Sequence, residues 1–399
     1  MRKILFVMHD MASGGAQRSL LSLFSELEKY QDRYELNLML MKREGLFFGQ
    51  IPPYIKLVEI PNELICMHSP VTSKIFWKAC RIKSLIAKIK WQFVQRHFDE
   101  RDFGEKQQSW WDIWRKIVPA SGIHYDAAIS YMHGCPNYYL IDKVNADHKT
   151  MWIHAQYSEK GRDVAFDRRY YAKADQIVTV SDRCAEHFTS IFPELKEKVR
   201  VILNISSGKL IWHMAKMSGY PQEYEPVHDK KIISIGRLSY EKGFDLALAA
   251  AKTLKDAGYH FKWFFIGIGP LHNSLLDLRA ELELEEFVAF LGERINPYGY
   301  LHHADVFVQT SRIEGKSIVL DEAKILCKPI VVTEYGTVRD NIIDRQQGLI
   351  VKTDSSAIAS GIQALIDDRN LCTELERNLA DQPDDLAKEL SKYLQLMDE

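Results

Sequence analysis

Cysteine, long apolar runs and charge of one sign are all scarce in this sequence. Its 399 residues include only six cysteines, at positions 66, 80, 135, 184, 327 and 372. No two stand at metal-ligand spacing, and they are too few for a disulfide framework, so reduced thiols in a cytoplasmic protein are expected. No apolar stretch approaches the ~18–20 residues of a membrane helix, which leaves only peripheral membrane contact. Arg2-Lys3 followed by Ile4 to Met8 opens like a secretory signal, but His9 and Asp10 end the apolar run, so no leader is expected. Lys and Arg number 52 against 54 Asp and Glu. That balance does not mark the chain as a polyanion binder, and no nucleic-acid partner is expected. No Asp-x-Asp occurs, so nothing signals a metal-bridged diphosphate. No complete G-x-G-x-x-G occurs either, because Gly267-Ile268-Gly269-Pro270 lacks the third glycine. That argues against a nicotinamide dinucleotide site.

Ordinary globular values, 46% hydrophobic and 27% charged, fit a folded α/β chain of two or three domains. Short apolar, β-branched runs alternate with helical-period stretches. The first set is 3–8, 34–41, 56–60, 126–132, 150–154, 176–181 and 200–205. The second set is 231–236, 261–267, 288–291, 305–310, 329–334 and 349–352. Continuous apolar strands separated by helices predict parallel sheets covered on both faces. Two sets predict two doubly wound domains, 1–205 and 231–375. Residues 206–230, with Gly219, Pro221 and Pro226, read as a linker, and 376–399 as a C-terminal helix packing back on the first domain. Ligands of such sheets bind at the carboxyl ends of the strands.

Three motifs follow strands directly. Ser13-Gly14-Gly15-Ala16-Gln17-Arg18 follows the first strand and precedes a helical run. Its glycines allow close backbone approach and the helix start favours an anion, although a ligand-free turn fits the residues equally well. Gly236-Arg237-Leu238-Ser239-Tyr240-Glu241-Lys242-Gly243 places a guanidinium and an ammonium on one loop, a pairing suited to phosphate. Glu314-Gly315-Lys316-Ser317-Ile318-Val319-Leu320-Asp321-Glu322 places two carboxylates around a helix start. They could accept hydrogen bonds from vicinal hydroxyls, or simply complement the helix dipole.

The pair Glu314…Glu322 resembles the E-x7-E signature of retaining glycosyltransferases. The segment from Gly236-Arg237 to Lys242-Gly243 resembles the GR…KG segment of glycosyltransferase family 4, and Ser13-Gly14-Gly15-Ala16 its N-terminal glycine loop. The resemblance spans nearly the whole chain, diffuse over 62–122 and specific over 231–349. It implies the GT-B architecture, two Rossmann-like domains facing an interdomain cleft. It further implies a retaining, metal-independent hexosyltransferase without a cofactor. Such an enzyme would move a sugar from a nucleotide donor, UDP by family frequency and GDP next. The acceptor would be a glycan or lipid-linked glycan in bacterial surface-polysaccharide assembly, such as lipopolysaccharide or capsule. By position, Arg237 and Lys242 would hold the donor diphosphate and Gly15 would approach it. Glu322 would bind the ribose, and Glu314, with Gly315, Lys316, Ser317 and Ile318, the donor sugar. Gly267 and Arg294 would lie near the base. His154, ending a strand, resembles the family's active-site histidine, and His133 ends another strand. Lys316 and Gln17 depart from many relatives, which carry an apolar residue and Glu there. The epimerases that share this architecture, and a non-catalytic subunit partnering another transferase, are the alternatives.

One segment stands apart. From Leu64 to Phe98 there are seven Lys or Arg and no Asp or Glu. Apolar residues interleave them at helical spacing within a basic amphipathic region, 64–118. Lys74, Trp77, Lys78, Arg81, Lys88 and Trp91, with Trp110, Trp111 and Trp114 beyond, suit an anionic membrane surface. A domain helix with a solvated basic face fits the same pattern.

Overall fold

The computed structural model describes residues 1–12, 14–98, 103–154, 156–314, 316–382 and 386–399. The chain forms two compact units, Met1–Ile205 with Leu386–Glu399, and Ser206–Asp385. The first holds β1 (Arg2–Met8), β2 (Tyr34–Leu40), β3 (Lys56–Leu57), β4 (His124–Ser130), β5 (Asn145–Ile153), β6 (Gln176–Thr179) and β7 (Val199–Val201). They pair in the order β3-β2-β1-β4-β5-β6-β7, all parallel. The second holds β8 (Lys230–Ile235), β9 (Phe261–Ile266), β10 (Val288–Gly292), β11 (Val306–Gln309), β12 (Ile330–Thr333) and β13 (Leu349–Val351). Their order is β10-β9-β8-β11-β12-β13, again all parallel. Each expected strand is present. β3 is cut to two exposed residues because it is an edge strand.

Both faces of each sheet are buried, which is why these strands read as unbroken apolar runs. Side chains alternate across the sheet. In β1, Leu5 and Val7 enter one core layer while Ile4, Phe6 and Met8 enter the other. In the second unit, Val306 and Val308 face one layer and Phe307 the other.

The expected linker 206–230 is corrected by the structure. Ser207 caps a helix, Gly208–Ser218, by accepting from the Leu210 N–H at 3.3 Å. Ile211 and Ala215 of this helix enter the core of the second unit, and Asn296 Nδ2 donates to the Met214 carbonyl at 2.8 Å. Gly219 and Pro221, which looked like linker residues, terminate that helix. The expected C-terminal helix 376–399 is two helices. Arg369–Ala380 belongs to the second unit, and only Leu386–Asp398 belongs to the first.

That last helix completes the first unit's core. Leu390, Tyr393, Leu396 and Met397 are buried beside Phe6, Tyr131 and Trp152. The Tyr393 ring stacks on Trp152 at 5.1 Å, and its hydroxyl donates to the Leu203 carbonyl at 3.0 Å. Glu389 accepts from the Leu203 N–H at 3.0 Å. Truncating a large, fully buried aromatic costs about 3–5 kcal/mol. Tyr393→Ala should therefore lower the thermal midpoint by several degrees, whereas the exposed Lys388→Ala should leave it unchanged; thermal unfolding of both variants checks this.

Candidate functional site

In each sheet the strand order reverses once, between β1 and β4 in the first unit and between β8 and β11 in the second. The loops leaving those strands separate at the reversal and leave room for a ligand at the carboxyl ends. The motifs read from the sequence lie in these loops.

In the second unit the loops after β8 and β11 are locked together. A short turn, Tyr240–Lys242, ends at Gly243, whose φ of +64° is left-handed. A Cβ there would lie 2.1 Å from the Thr310 carbonyl oxygen, so only glycine allows this approach. The Thr310 hydroxyl donates to the Lys242 carbonyl at 3.0 Å. The Arg312 guanidinium forks onto both oxygens of Asp245 at 2.8 and 2.5 Å, and its backbone N–H donates to the Glu241 carbonyl at 2.7 Å. The bond from Arg312 holds the Asp245 carboxyl below the usual range, against burial.

This packing brings two predicted site residues into contact. Lys242 Nζ pairs with Glu314 Oε1. The same oxygen accepts from the Ser311 hydroxyl at 2.9 Å and from Gln309 Nε2 at 3.3 Å, while the Glu314 carbonyl accepts from Thr337 Oγ1 at 2.9 Å. Ser317 donates to Gln309 Oε1 at 2.7 Å and accepts from the Leu320 N–H, capping helix Ile318–Ile325. Glu322, on that helix, is buried, and Tyr298 Oη donates to its Oε1 at 2.8 Å. Arg237 is exposed beside this cluster's loop.

Other expected ligands have structural work. Arg294 donates to Glu223 at 2.9 Å and to Tyr300 Oη at 3.2 Å, fastening the 222–224 turn to the 298–303 helix. Lys316 pairs with Asp321 at 3.4 Å, and Asp321 also meets Lys324 at 3.2 Å. Ile318 is buried. Gly267, at φ +144°, would place a Cβ 1.9 Å from the Gly236 carbonyl oxygen, so its backbone packs directly on the start of the loop after β8. Gly315 and Ser13 lie outside the described residues. Sequence reasoning missed Tyr298, Arg312, Asp245 and Asp321, whose roles depend on partners far along the chain or on the opposite charge of a lysine pair.

In the first unit, Gly15 opens helix Gly15–Leu27, which has no side-chain cap and no acid in its first turn. Gln17 turns its amide towards Asp10 at 3.4 Å, a partner a glutamate there would repel. His154 Nε2 lies 2.9 Å from the Tyr131 carbonyl. A carbonyl can only accept, so the imidazole proton sits on Nε2. Burial, then His133, pushes His154 down to about 3, with Tyr131 and Asn204 opposing. Burial, then Arg162, pushes His133 down to about 4. Both rings are neutral at pH 7.

The basic segment divides on inspection. Lys74, Trp77, Lys78 and Arg81 are exposed. Trp91, expected at a membrane, is instead a core residue stacked on Trp110 at 5.5 Å, and Trp111 and Trp114 are fully buried. Lys88 is tied down by donating to the Met67 carbonyl at 3.0 Å.

Comparison with known proteins agrees with this geometry. Residues 220–382 match the family described as "Glycosyl transferases group 1", so the second unit carries a domain of that group. The chain is 31% identical over 203 residues to the N-acetylgalactosamine-N,N'-diacetylbacillosaminyl-diphospho-undecaprenol 4-alpha-N-acetylgalactosaminyltransferase of Campylobacter jejuni, covering 50% of this chain and 53% of that one. It is 31% identical over 141 residues to the amylovoran biosynthesis glycosyltransferase AmsK of Erwinia amylovora, covering 33% and 34%. It spans about half the length, or less, of the curated relatives it matches. Among solved structures it is similar to Anabaena HepE in complex with UDP-glucose, at a TM-score of 0.70, 17% identity and full coverage of both chains. It is also similar to sucrose-phosphate synthase of Thermosynechococcus elongatus, at a TM-score of 0.66, 17% identity and full coverage of both chains. These likenesses establish the fold: two parallel-sheet Rossmann-like domains of the GT-B class.

A histidine whose folded pKa lies below its unfolded value of ~6.5 binds protons more readily when unfolded. Its contribution to stability is therefore full above that pH and is lost as pH falls. Between pH 7.5 and 5.5 each of His133 and His154 should cost the folded state roughly 1 kcal/mol. Urea titrations of the wild type and of His133→Gln at both pH values test this, and an unchanged slope in the variant contradicts it.

Proposed function

We propose that this chain is a retaining glycosyltransferase that moves a hexose-type sugar from a UDP-sugar to a glycan or lipid-linked glycan in bacterial surface-polysaccharide assembly. The observation that carries the reading is the Lys242–Glu314 pair beside the exposed Arg237, at the sheet reversal of a glycosyl transferases group 1 domain. The C. jejuni relative's name describes transfer onto a diphospho-undecaprenol-linked acceptor, and the HepE complex holds UDP-glucose. Both support the donor and acceptor classes proposed.

Arg237 and Lys242 are assigned to the donor diphosphate. Charge stabilisation is given to them rather than to a metal because the sequence has no Asp-x-Asp pair. A diphosphate at Arg237 would share the Lys242 ammonium with Glu314, and the carboxylate would be left facing the sugar hydroxyls. Glu322, oriented by Tyr298, is assigned to the ribose. Retention follows from front-face attack. The anomeric carbon's bond to the leaving phosphate oxygen breaks, its bond to the acceptor oxygen forms on the same face, and the acceptor proton passes to the leaving diphosphate. Neutral His154, its Nε2 proton held by the Tyr131 carbonyl, is assigned to accept from a sugar hydroxyl through Nδ1 rather than to act as a cation.

Thermal denaturation with UDP, GDP and ADP tests the donor site, since ligand at ~100 times Kd adds ~2.7 kcal/mol. UDP should raise the midpoint. Arg237→Ala should weaken UDP about 10- to 100-fold, the worth of a charged hydrogen bond. Glu314→Gln should keep the UDP shift and lose sugar transfer by about two orders of magnitude in a product assay. No shift with any nucleotide would overturn the reading and leave a non-catalytic subunit.

A further inference from the structure

The first unit carries an apolar ridge that the donor chemistry does not use. Helix Ile82–Val94 has two apolar faces. Ser84, Ala87 and Trp91 point into the core, where Trp91 meets Trp110 and Leu85 packs alongside. Ile82, Ile86, Ile89 and Phe93 point outwards. At ~100° per residue they fall within about 60° of arc, a single stripe. The preceding helix, Lys74–Ala79, also exposes Ile75 and Trp77, about 200° apart around its axis. All six side chains are between 47% and 79% exposed. They make up most of the large exposed apolar residues described in this unit, in one stretch of nineteen residues.

The segment that carries the ridge has charges of one sign, while Lys90 also faces Asp112 on the helix Phe103–Trp114. Lys74, Lys78, Arg81, Lys83, Lys90 and Arg96 are exposed, and no acid occurs from 64 to 98. Lys83 and Lys90 flank the stripe on one side by helix geometry, and Arg81 stands at its N-terminal end as the residue before the helix. A contiguous apolar patch with a charged rim marks an interaction surface. Against a second copy of itself, this patch would place cations on cations, because a two-fold contact pairs a surface with its own image. Against water alone, it pays the exposure of six large side chains for nothing.

We propose that the ridge over 82–93 docks on an anionic lipid bilayer, with Ile82, Ile86, Ile89 and Phe93 entering the headgroup–acyl boundary and the neighbouring lysines and arginines meeting lipid phosphates. The helix lies flat because its opposite face is pinned by Trp91 and by Lys88, so no unfolding is needed to present the stripe. The docking surface is independent of the nucleotide reading, since its test uses no donor.

Full-length protein is floated with vesicles of about one-third phosphatidylglycerol in phosphatidylcholine, and with phosphatidylcholine alone, at ~0.05 M and ~0.5 M salt. Binding is expected only to the anionic vesicles and only at low salt. Lys83→Gln and Lys90→Gln should each weaken it about fivefold. The triple variant Ile82→Ser/Ile86→Ser/Phe93→Ser should weaken it more than about tenfold with an unchanged denaturation midpoint, because these side chains are outside the core. Trp77 emission should shift to the blue on vesicles, and Trp77→Phe should remove that shift while flotation persists. No binding at low salt, equal binding by the triple variant, or a dimer in solution that the triple variant dissolves would each overturn the proposal.

Discussion

The contact of Gly243 with the Thr310 carbonyl is the constraint on which the candidate site depends. A left-handed φ and the absence of a Cβ let the loop after β8 touch the loop after β11 at 2.1 Å from where a side chain would start. Everything polar at the site follows from that proximity. The Thr310 hydroxyl reaches the Lys242 carbonyl, Arg312 reaches Asp245 and Glu241, and Lys242 reaches Glu314. Any larger residue would force the loops apart and break these contacts together rather than singly. The pairing of β8 with β11, Ile232 to Val306 and Ile233 to Phe307, supplies the frame that aims both loops the same way.

The contacts form a network in which the buried polar groups have partners. Gln309, Ser311 and Thr337 all converge on Glu314, Ser317 holds Gln309, and Thr333 donates to the Ser311 carbonyl at 2.6 Å. Such satisfied networks are rigid, and unpaired members would be costly. The Lys242–Glu314 pair solves a related problem. An ammonium and a carboxylate, both mostly shielded, compensate one another until something with its own negative charge competes for the lysine. A site arranged in advance in this way spends little on reorganisation when it is filled.

How much of this could be read from the residues alone follows from sequence distance. The strands were legible because a parallel sheet covered on both faces demands unbroken apolar runs, and Ile4 to Met8 or Ile232 to Ile235 supply them. The charged loops were legible because they follow those strands directly. Tyr298 and Glu322 were not legible as a pair, because 24 residues separate them and nothing local marks a tyrosine as a carboxylate's donor. Arg312 and Asp245 are 67 apart. Arg294 and Lys316 looked like free cations because their partners, Glu223 and Asp321, become neighbours only after folding. The 206–230 stretch misled for a different reason. Gly219 and Pro221 are helix-ending residues, and an ending resembles a linker when the helix before it, with Ile211 and Ala215 as its buried side, is short.

The basic helix shows a limit of periodicity itself. A 3.6-residue repeat reveals an apolar face but not whether that face is the one that packs. Here there are two. Ser84, Ala87 and Trp91 are its buried side chains, and the Trp91 indole stacks on Trp110. The outward Ile82, Ile86, Ile89 and Phe93 add nothing to that packing, yet they are the larger and more apolar set. Solvent-facing helix positions in a soluble unit are normally filled by charged and polar residues, which cost nothing to expose. Folding of the first unit therefore accounts for the inner face of this helix and leaves the outer face without an explanation inside the unit. The cations that border it, in a segment with no acid of its own, belong to the same unexplained surface, so apolar stripe and charge must be read as one feature.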